Sequence, residues 1–205
     1  MSKLRVAELL AHLGRMTYGN GFVEDLTSAQ WTALRYFSRA NRFSRTPSAF
    51  AEFHGTTRGT ASQTIKSLIA KRYLIQTRSE TDGRSTLLEL TGKARDTLSN
   101  DPFETLVEAV GALPSGARGL LANVLERMLG HVAMECGKRP FGMCTSCEHL
   151  GGDGCCQEGG LPYKCLFFNE PLNVAELGQL CINYEPSKAS AMNRTFKGGG
   201  LDLSS

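Results

Sequence analysis

Residues 56–90 read TTRGTASQTIKSLIAKRYLIQTRSETDGRSTLLEL. Thr56 or Thr57 is placed to open a helix that runs to about Arg72. Ala61, Ile65, Leu68 and Ile69 recur at helical spacing and form an apolar stripe, with Thr60, Gln63, Lys66 and Ser67 on the opposite face. Leu74–Arg78 then reads as a strand, Thr81-Asp82-Gly83-Arg84 as a turn, and Ser85–Leu90 as a returning strand.

Upstream, three more helices are predicted. Lys3–Met16 puts Leu4, Ala7, Leu10, Ala11 and Leu13 at helical spacing, and Asn20-Gly21 breaks it. Thr27 or Ser28 can cap a helix from Ala29 to about Ala40, with Trp31, Leu34 and Phe37 on one face. Thr46-Pro47-Ser48 starts a short helix, because proline is tolerated in a first turn, and Gly55 ends it near His54. Downstream, a helical region is expected from about Thr91 to Val110. Pro114 interrupts it, and a further helix runs to about Glu135, with Leu120, Leu121, Val124, Leu125, Met128 and Val132 on one side.

Helix, short helix, basic helix and basic hairpin, in that order, make a winged helix–turn–helix. The fold class expected is mainly α with a small β wing (α+β). A major groove admits one α-helix. A short helix behind it sets its angle, and an arginine on the hairpin tip can reach the adjacent minor groove. Charge agrees with this. Gln30–Leu98 carries 12 basic and 5 acidic residues, whereas Ser99–Ser205 carries 8 and 12, so the middle of the chain is the part suited to a polyanion.

Residues Leu26–Leu98 resemble the MarR family of bacterial transcriptional regulators. The stretches that carry the resemblance are Leu26-Thr27-Ser28-Ala29-Gln30-Trp31, Ile65 through Ile75, and Asp82-Gly83-Arg84-Ser85 through Leu90-Thr91. It extends more weakly over Lys3–Glu135 and does not reach the C-terminal part. It implies a homodimer, interleaved through Lys3–Met16 and Leu113–Met134, on a near-palindromic double-stranded DNA operator, most often as a repressor. Two departures stand out. Gly83 replaces one of two wing arginines, leaving Arg84 for the minor groove and Asp82 to hold the wing. Tyr73 stands where the family usually has glycine. The residues expected at DNA are Ser48, Arg58, Thr60, Ser62, Gln63, Lys66 and Arg84, with Gln63 able to pair with adenine through both amide atoms.

All seven cysteines lie beyond residue 135: Cys136, Cys144, Cys147, Cys155, Cys156, Cys165 and Cys181. An odd number argues against a disulfide framework and for metal or redox chemistry. Cys144 and Cys147 form a C-x-x-C pair, which sets two thiolates on one side of a tight turn. Cys165 and Cys181 complete a four-sulfur set; at most one of Cys155 and Cys156 joins the same centre, or the doublet replaces one framing ligand. Four thiolates suit an iron–sulfur cluster or zinc. The six cysteines of Cys144–Cys181 exceed what one zinc ion needs, and a labile cofactor beside a dimer helix could tilt DNA-binding heads, so iron–sulfur is preferred. Cys136 is expected as a buried thiol and His149 as a surface or supporting residue. Phe167, Phe168 and Tyr184 are expected to supply the apolar core of this module, with one short helix over Val174–Leu180 capped by Asn173.

The organisation expected is residues 1–135 as the winged-helix and dimerisation domain, 136–186 as a loop-rich cysteine module, and a disordered tail from Ser187. Apolar runs are far too short for a membrane span, and the N-terminus lacks signal-peptide features, so a cytoplasmic protein is expected. Three functions compete. The first is a DNA-binding regulator with a metal–cysteine sensor of redox or iron state. The second is the same dimer with structural zinc, responding to a small aromatic ligand. The third, a thiol–disulfide oxidoreductase using Cys144 and Cys147, lacks the thioredoxin-like strand–helix setting, and no enzyme is expected.

Overall fold

The computed structural model describes residues 2–18, 25–78, 86–152 and 163–187. The chain divides into two compact units, Met1–Arg118 and Gly119–Ser205. The long helix beginning at Ser115 therefore lies mostly with the cysteine-rich part.

The first unit holds α1 (Lys3–Tyr18), α2 (Ser28–Arg39), α3 (Pro47–His54), α4 (Arg58–Ala70), β1 (Leu74–Arg78), β2 (Thr86–Leu90), α5 (Gly92–Leu98) and α6 (Glu104–Gly111); α7 (Ser115–Glu135) starts at its end. The helix starts follow from local chemistry. The Thr27 hydroxyl accepts from the Gln30 amide at 3.3 Å, and the Gln30 side chain accepts from the Thr27 amide at 3.0 Å, a reciprocal cap that satisfies two otherwise unpaired donors. Thr46, Thr57 and Thr91 cap α3, α4 and α5 in the same sense, each accepting a backbone N–H at 3.2 Å. Gly55 ends α3 in the left-handed conformation, φ 65°.

The core lies where α2, α3, α4 and the hairpin meet. Leu34, Phe50, Leu68 and Leu88 are fully buried there, each worth about 1.5–3 kcal/mol of apolar burial. Tyr36 packs edge-on against Phe37 with ring centres 5.1 Å apart, and its hydroxyl donates to the Ser44 carbonyl at 2.7 Å. Strands β1 and β2 pair antiparallel from Leu74 opposite Leu90 to Arg78 opposite Thr86. The turn expected at Thr81–Arg84 and the break at Asn20-Gly21 lie outside the described residues.

Two expectations are corrected here. The helix foreseen from Thr91 to Val110 is two helices, α5 and α6. Pro102 cannot donate to an interior turn and pushes Asp101 out of the helical region. Asp101 turns instead to α2, taking Arg35 Nε at 2.6 Å and Nη2 at 2.8 Å. Helix α4 stops at Ala70 rather than Arg72. The Arg72 amide returns to the Ile69 carbonyl and the Tyr73 amide to Leu68, a Schellman closure. The left-handed residue of that closure is Arg72, φ 63°, so Tyr73 is free to be a buried side chain.

The second unit contains α7 and a fold of short pieces: β3 (Gly142–Met143), a 3-10 turn (Cys144–Ser146), β4 (Leu150–Gly151), β5 (Tyr163–Cys165), β6 (Glu170–Leu172), a 3-10 helix (Val174–Gly178) and β7 (Leu180–Cys181). β3 pairs with β7, and β4, β5 and β6 form a three-stranded antiparallel sheet. The module is thus less loop-like than expected. Its helix, capped by Asn173 as foreseen, is shorter than Val174–Leu180 because Leu180 enters β7. Its apolar core is Leu172, Leu177 and Tyr184; Phe167 is exposed. Cys136 is exposed too, since α7 presents no buried side chain in the single chain. The expected tail from Ser187 is ordered at Ser187 itself, whose amide donates to the Ser146 carbonyl at 3.0 Å, and beyond it lies outside the described residues. No helix among the described residues is long and apolar enough to cross a membrane.

Candidate nucleic-acid interface and cysteine centre

On α4 the residues divide by face. Ala61, Ile65 and Leu68 are buried, while Arg58, Thr60, Gln63 and Lys66 are exposed. The helix phase predicted from sequence therefore leaves these four available to a ligand. Ser62 is half-buried, at the edge of that face. Ser67 is drawn inward, accepting from the buried Gln30 side chain at 2.9 Å. Gln30 thus caps α2 and ties it to α4, which holds the exposed face of α4 against the unit behind it. Thr60 is exposed but committed in part, its hydroxyl 2.9 Å from that of Thr57. Ser48 is exposed in the first turn of α3, 3.2 Å from the Thr46 hydroxyl. Arg84 lies outside the described residues.

Not all the positive charge of this segment faces outward. The Lys71 ammonium donates to the Asp25 carbonyl. Lys93 donates to the Lys71 carbonyl at 3.1 Å and sits 4.1 Å over the Tyr73 ring. Arg45 donates to the Ala40 carbonyl at 3.0 Å. Arg35 is held by Asp101 and lies 4.8 Å over the Phe103 ring. A charge count cannot separate these internal roles from groups free to meet phosphate. His54 stacks on Phe50 at 5.5 Å, and its burial lowers its pKa. It remains exposed at the end of α3, with one ring face against Phe50.

Residues 24–85 match the MarR family. The match spans α2 to the wing, the region whose exposed helix has just been described. Its solved members include transcriptional regulators, and it is not a family of enzymes. MepR of S. aureus, solved in complex with DNA, is 16% identical over 64% of this chain and 96% of its own, with a TM-score of 0.53. A MarR/EmrR family transcriptional regulator from Acinetobacter sp. ADP1 is 16% identical over 65% of this chain and 99% of its own, TM-score 0.53. CouR from Rhodococcus jostii RHA1, solved with p-coumaroyl-CoA, is 15% identical over 60% and 90%, TM-score 0.51. At such identities the likeness is one of fold. No curated protein matches the chain.

In the second unit, local backbone pairing gathers the four framing cysteines. The Cys147 amide donates to the Cys144 carbonyl at 3.0 Å, closing the C-x-x-C turn. Cys181 pairs with Gly142, two residues before that turn, and Cys165 pairs with Leu150, three residues after it. Cys144 and Cys181 are buried, Cys147 and Cys165 half-buried, and all four are free thiols. Burial pushes the Cys144 pKa up to about 11, and the charges of Cys181, Cys147, Cys165 and the buried Glu176 add to it. The four thiols are therefore electrostatic neighbours. They do not converge as a ready ligand set: among the described residues no group of three or more His, Cys, Asp or Glu is placed to hold a metal ion. Cys155 and Cys156 lie outside the described residues. His149 Nε2 lies 3.3 Å from a Glu185 carboxylate oxygen, a supporting position beside the Phe167 ring at 5.3 Å. Glu176 went unnoticed in the sequence, where only its place three residues after Asn173 signalled a cap.

Proposed function

We propose that this protein is a DNA-binding transcriptional regulator, a repressor, that acts as a homodimer and carries a cysteine-ligated iron–sulfur centre tuning its DNA affinity. The observation that carries the reading is the exposed Arg58–Lys66 face of α4, on a helix whose other side is locked into the unit that matches the MarR family. Arg58 and Lys66 supply phosphate contacts, and Gln63 is the base reader. Ser48 approaches a phosphate from the start of α3, and Arg84 serves the wing.

The dimer is supported by apolar surface that a single chain leaves open. Leu4 is 69% exposed and Met16 60% on α1, and Leu120 is 67% and Leu129 69% on α7. A second copy of the chain offers the same surfaces, and two-fold symmetry then calls for a near-palindromic site.

The centre is supported by the donor chemistry. Cys144, Cys147, Cys165 and Cys181 offer four sulfurs on a turn and two flanking strands. Four thiolates serve zinc or a cluster alike, and the six cysteines of Cys144–Cys181 exceed what one zinc ion needs, which favours the cluster. When bound, the cluster supplies electron acceptance and sensitivity to iron or oxidants. The chain's own part is to hold the four sulfurs and shield Cys144 and Cys181 from water.

Two measurements test this together. Anaerobically purified protein should be coloured, with iron and sulfide in comparable amounts; a colourless protein with one zinc per chain removes the cluster. Gln63→Ala should lose about 1–3 kcal/mol of discrimination at one base position. Equal weakening on specific and random DNA would overturn the reading role of α4.

A further inference from the structure

The residue that holds the C-x-x-C turn in shape is distant in sequence. After β7 the chain doubles back along Cys144-Thr145-Ser146-Cys147. The Glu148 amide donates to the Glu185 carbonyl at 2.8 Å, Pro186 bridges Cys147, and the Ser187 amide donates to the Ser146 carbonyl at 3.0 Å. Tyr184 stands at the centre of this return and is only 2% exposed. Its hydroxyl donates to the same Ser146 carbonyl at 3.1 Å and lies 3.1 Å from the Ser146 hydroxyl.

The face of the ring is equally constrained. A Cβ on Gly142 would come within 2.6–2.7 Å of three Tyr184 ring carbons. Gly142 is also the partner of Cys181. The ring therefore lies against the backbone that carries Cys181's neighbour, while its hydroxyl grips the backbone between Cys144 and Cys147. Apolar packing alone does not require a hydroxyl on that carbonyl. One side chain thus touches both backbone segments that set the distance between the C-x-x-C thiols and Cys181.

We propose that Tyr184, seated on Gly142, is the positioning residue of the thiol centre: it sets the bite of Cys144 and Cys147 and their spacing from Cys181. The inference rests on the reading of these cysteines as ligands. Groups that orient ligands without touching the metal typically change affinity about 10–100-fold when removed.

The test uses the full chain, reconstituted anaerobically with ferrous iron and sulfide. Tyr184→Phe keeps the ring and removes only the hydroxyl. It should release iron to excess chelator at least about 10-fold faster and shift the electron-paramagnetic spectrum of the reduced centre, with far-ultraviolet circular dichroism unchanged. Ser146→Ala, which leaves the Ser146 carbonyl for Tyr184, should fall between wild type and Tyr184→Phe. Gly142→Ala, which displaces the ring, should be the most severe. Equal release rates and identical spectra for wild type and Tyr184→Phe would overturn the positioning role while leaving the centre standing. A wild-type chain that takes up no iron would sink the ligand reading, and this inference with it.

Discussion

The two units solve the folding problem by different means. The first buries Leu26, Trp31, Leu34, Phe50 and Leu68 under helices whose ends are capped by threonines. Among its described residues the second has strands of two or three residues and a buried apolar set of little more than Leu172, Leu177 and Tyr184, with Cys144 and Cys181 among them. Burial of so few side chains falls well short of the ordering entropy of this stretch. The difference teaches where each unit's stability can reside: packing serves the first, while the second is the unit for which the centre proposed on its cysteines would turn binding energy into folding energy.

Core truncation is the strongest way to break this contrast. Phe50→Ala should cost about 3–5 kcal/mol in a urea transition followed through Trp31, the chain's single tryptophan. The same protein should keep its hydrogen-exchange protection around Tyr184. If protection there collapses together with the Trp31 signal, the units are one cooperative body and the contrast fails. A smaller effect is expected at the ion pair. Asp101→Ala strands the Arg35 guanidinium, which is 17% exposed, and should cost about 2–3 kcal/mol. A loss confined to a few tenths would mean that the break between α5 and α6 is held by Pro102 alone. The smallest is a gain. Arg72→Gly relieves the left-handed backbone at the end of α4 and should stabilise the first unit by about 0.5–1 kcal/mol. A loss instead would show that the arginine side chain contributes more than its strained backbone costs.

Much of the first unit was legible in advance, because its signals are local. Thr27, Thr46-Pro47, Thr57 and Gly55 mark helix ends within one turn of themselves, and the 3.6 period of Ala61, Ile65 and Leu68 identifies which face of α4 is left exposed. The exposed face was therefore readable at Arg58, Gln63 and Lys66. The break after α5 was misread because apolar spacing continues through Thr91–Val110. Pro102, which the sequence displays, and the pull of Arg35 on Asp101 together set where the second helix starts. Charge was the least legible feature. Arg35, Arg45, Lys71 and Lys93 count towards a basic segment yet hold backbone or side-chain partners inside the unit.

In the cysteine module the reading reached residue types and stopped short of neighbours. Cys144, Cys147, Cys165 and Cys181 were recognisable as a set by type and spacing. Phe167 and Phe168 read as core, yet Phe167 is exposed and Phe168 only half-buried, because strands of two or three residues carry too short an alternation to tell inside from outside. Tyr184 was placed in the core, but its hold on Ser146 was invisible from either residue.

Sequence alone determined the order of helices, their caps, the winged hairpin and the donor chemistry of the C-terminal part. These depend on interactions within a few residues, whose geometry the backbone repeats dictate. Tertiary structure decided which partners met across long separations: Arg35 with Asp101, 66 residues apart, and Tyr184 with Ser146, 38 apart. Such meetings depend on how the whole chain returns on itself, and no local propensity encodes that return.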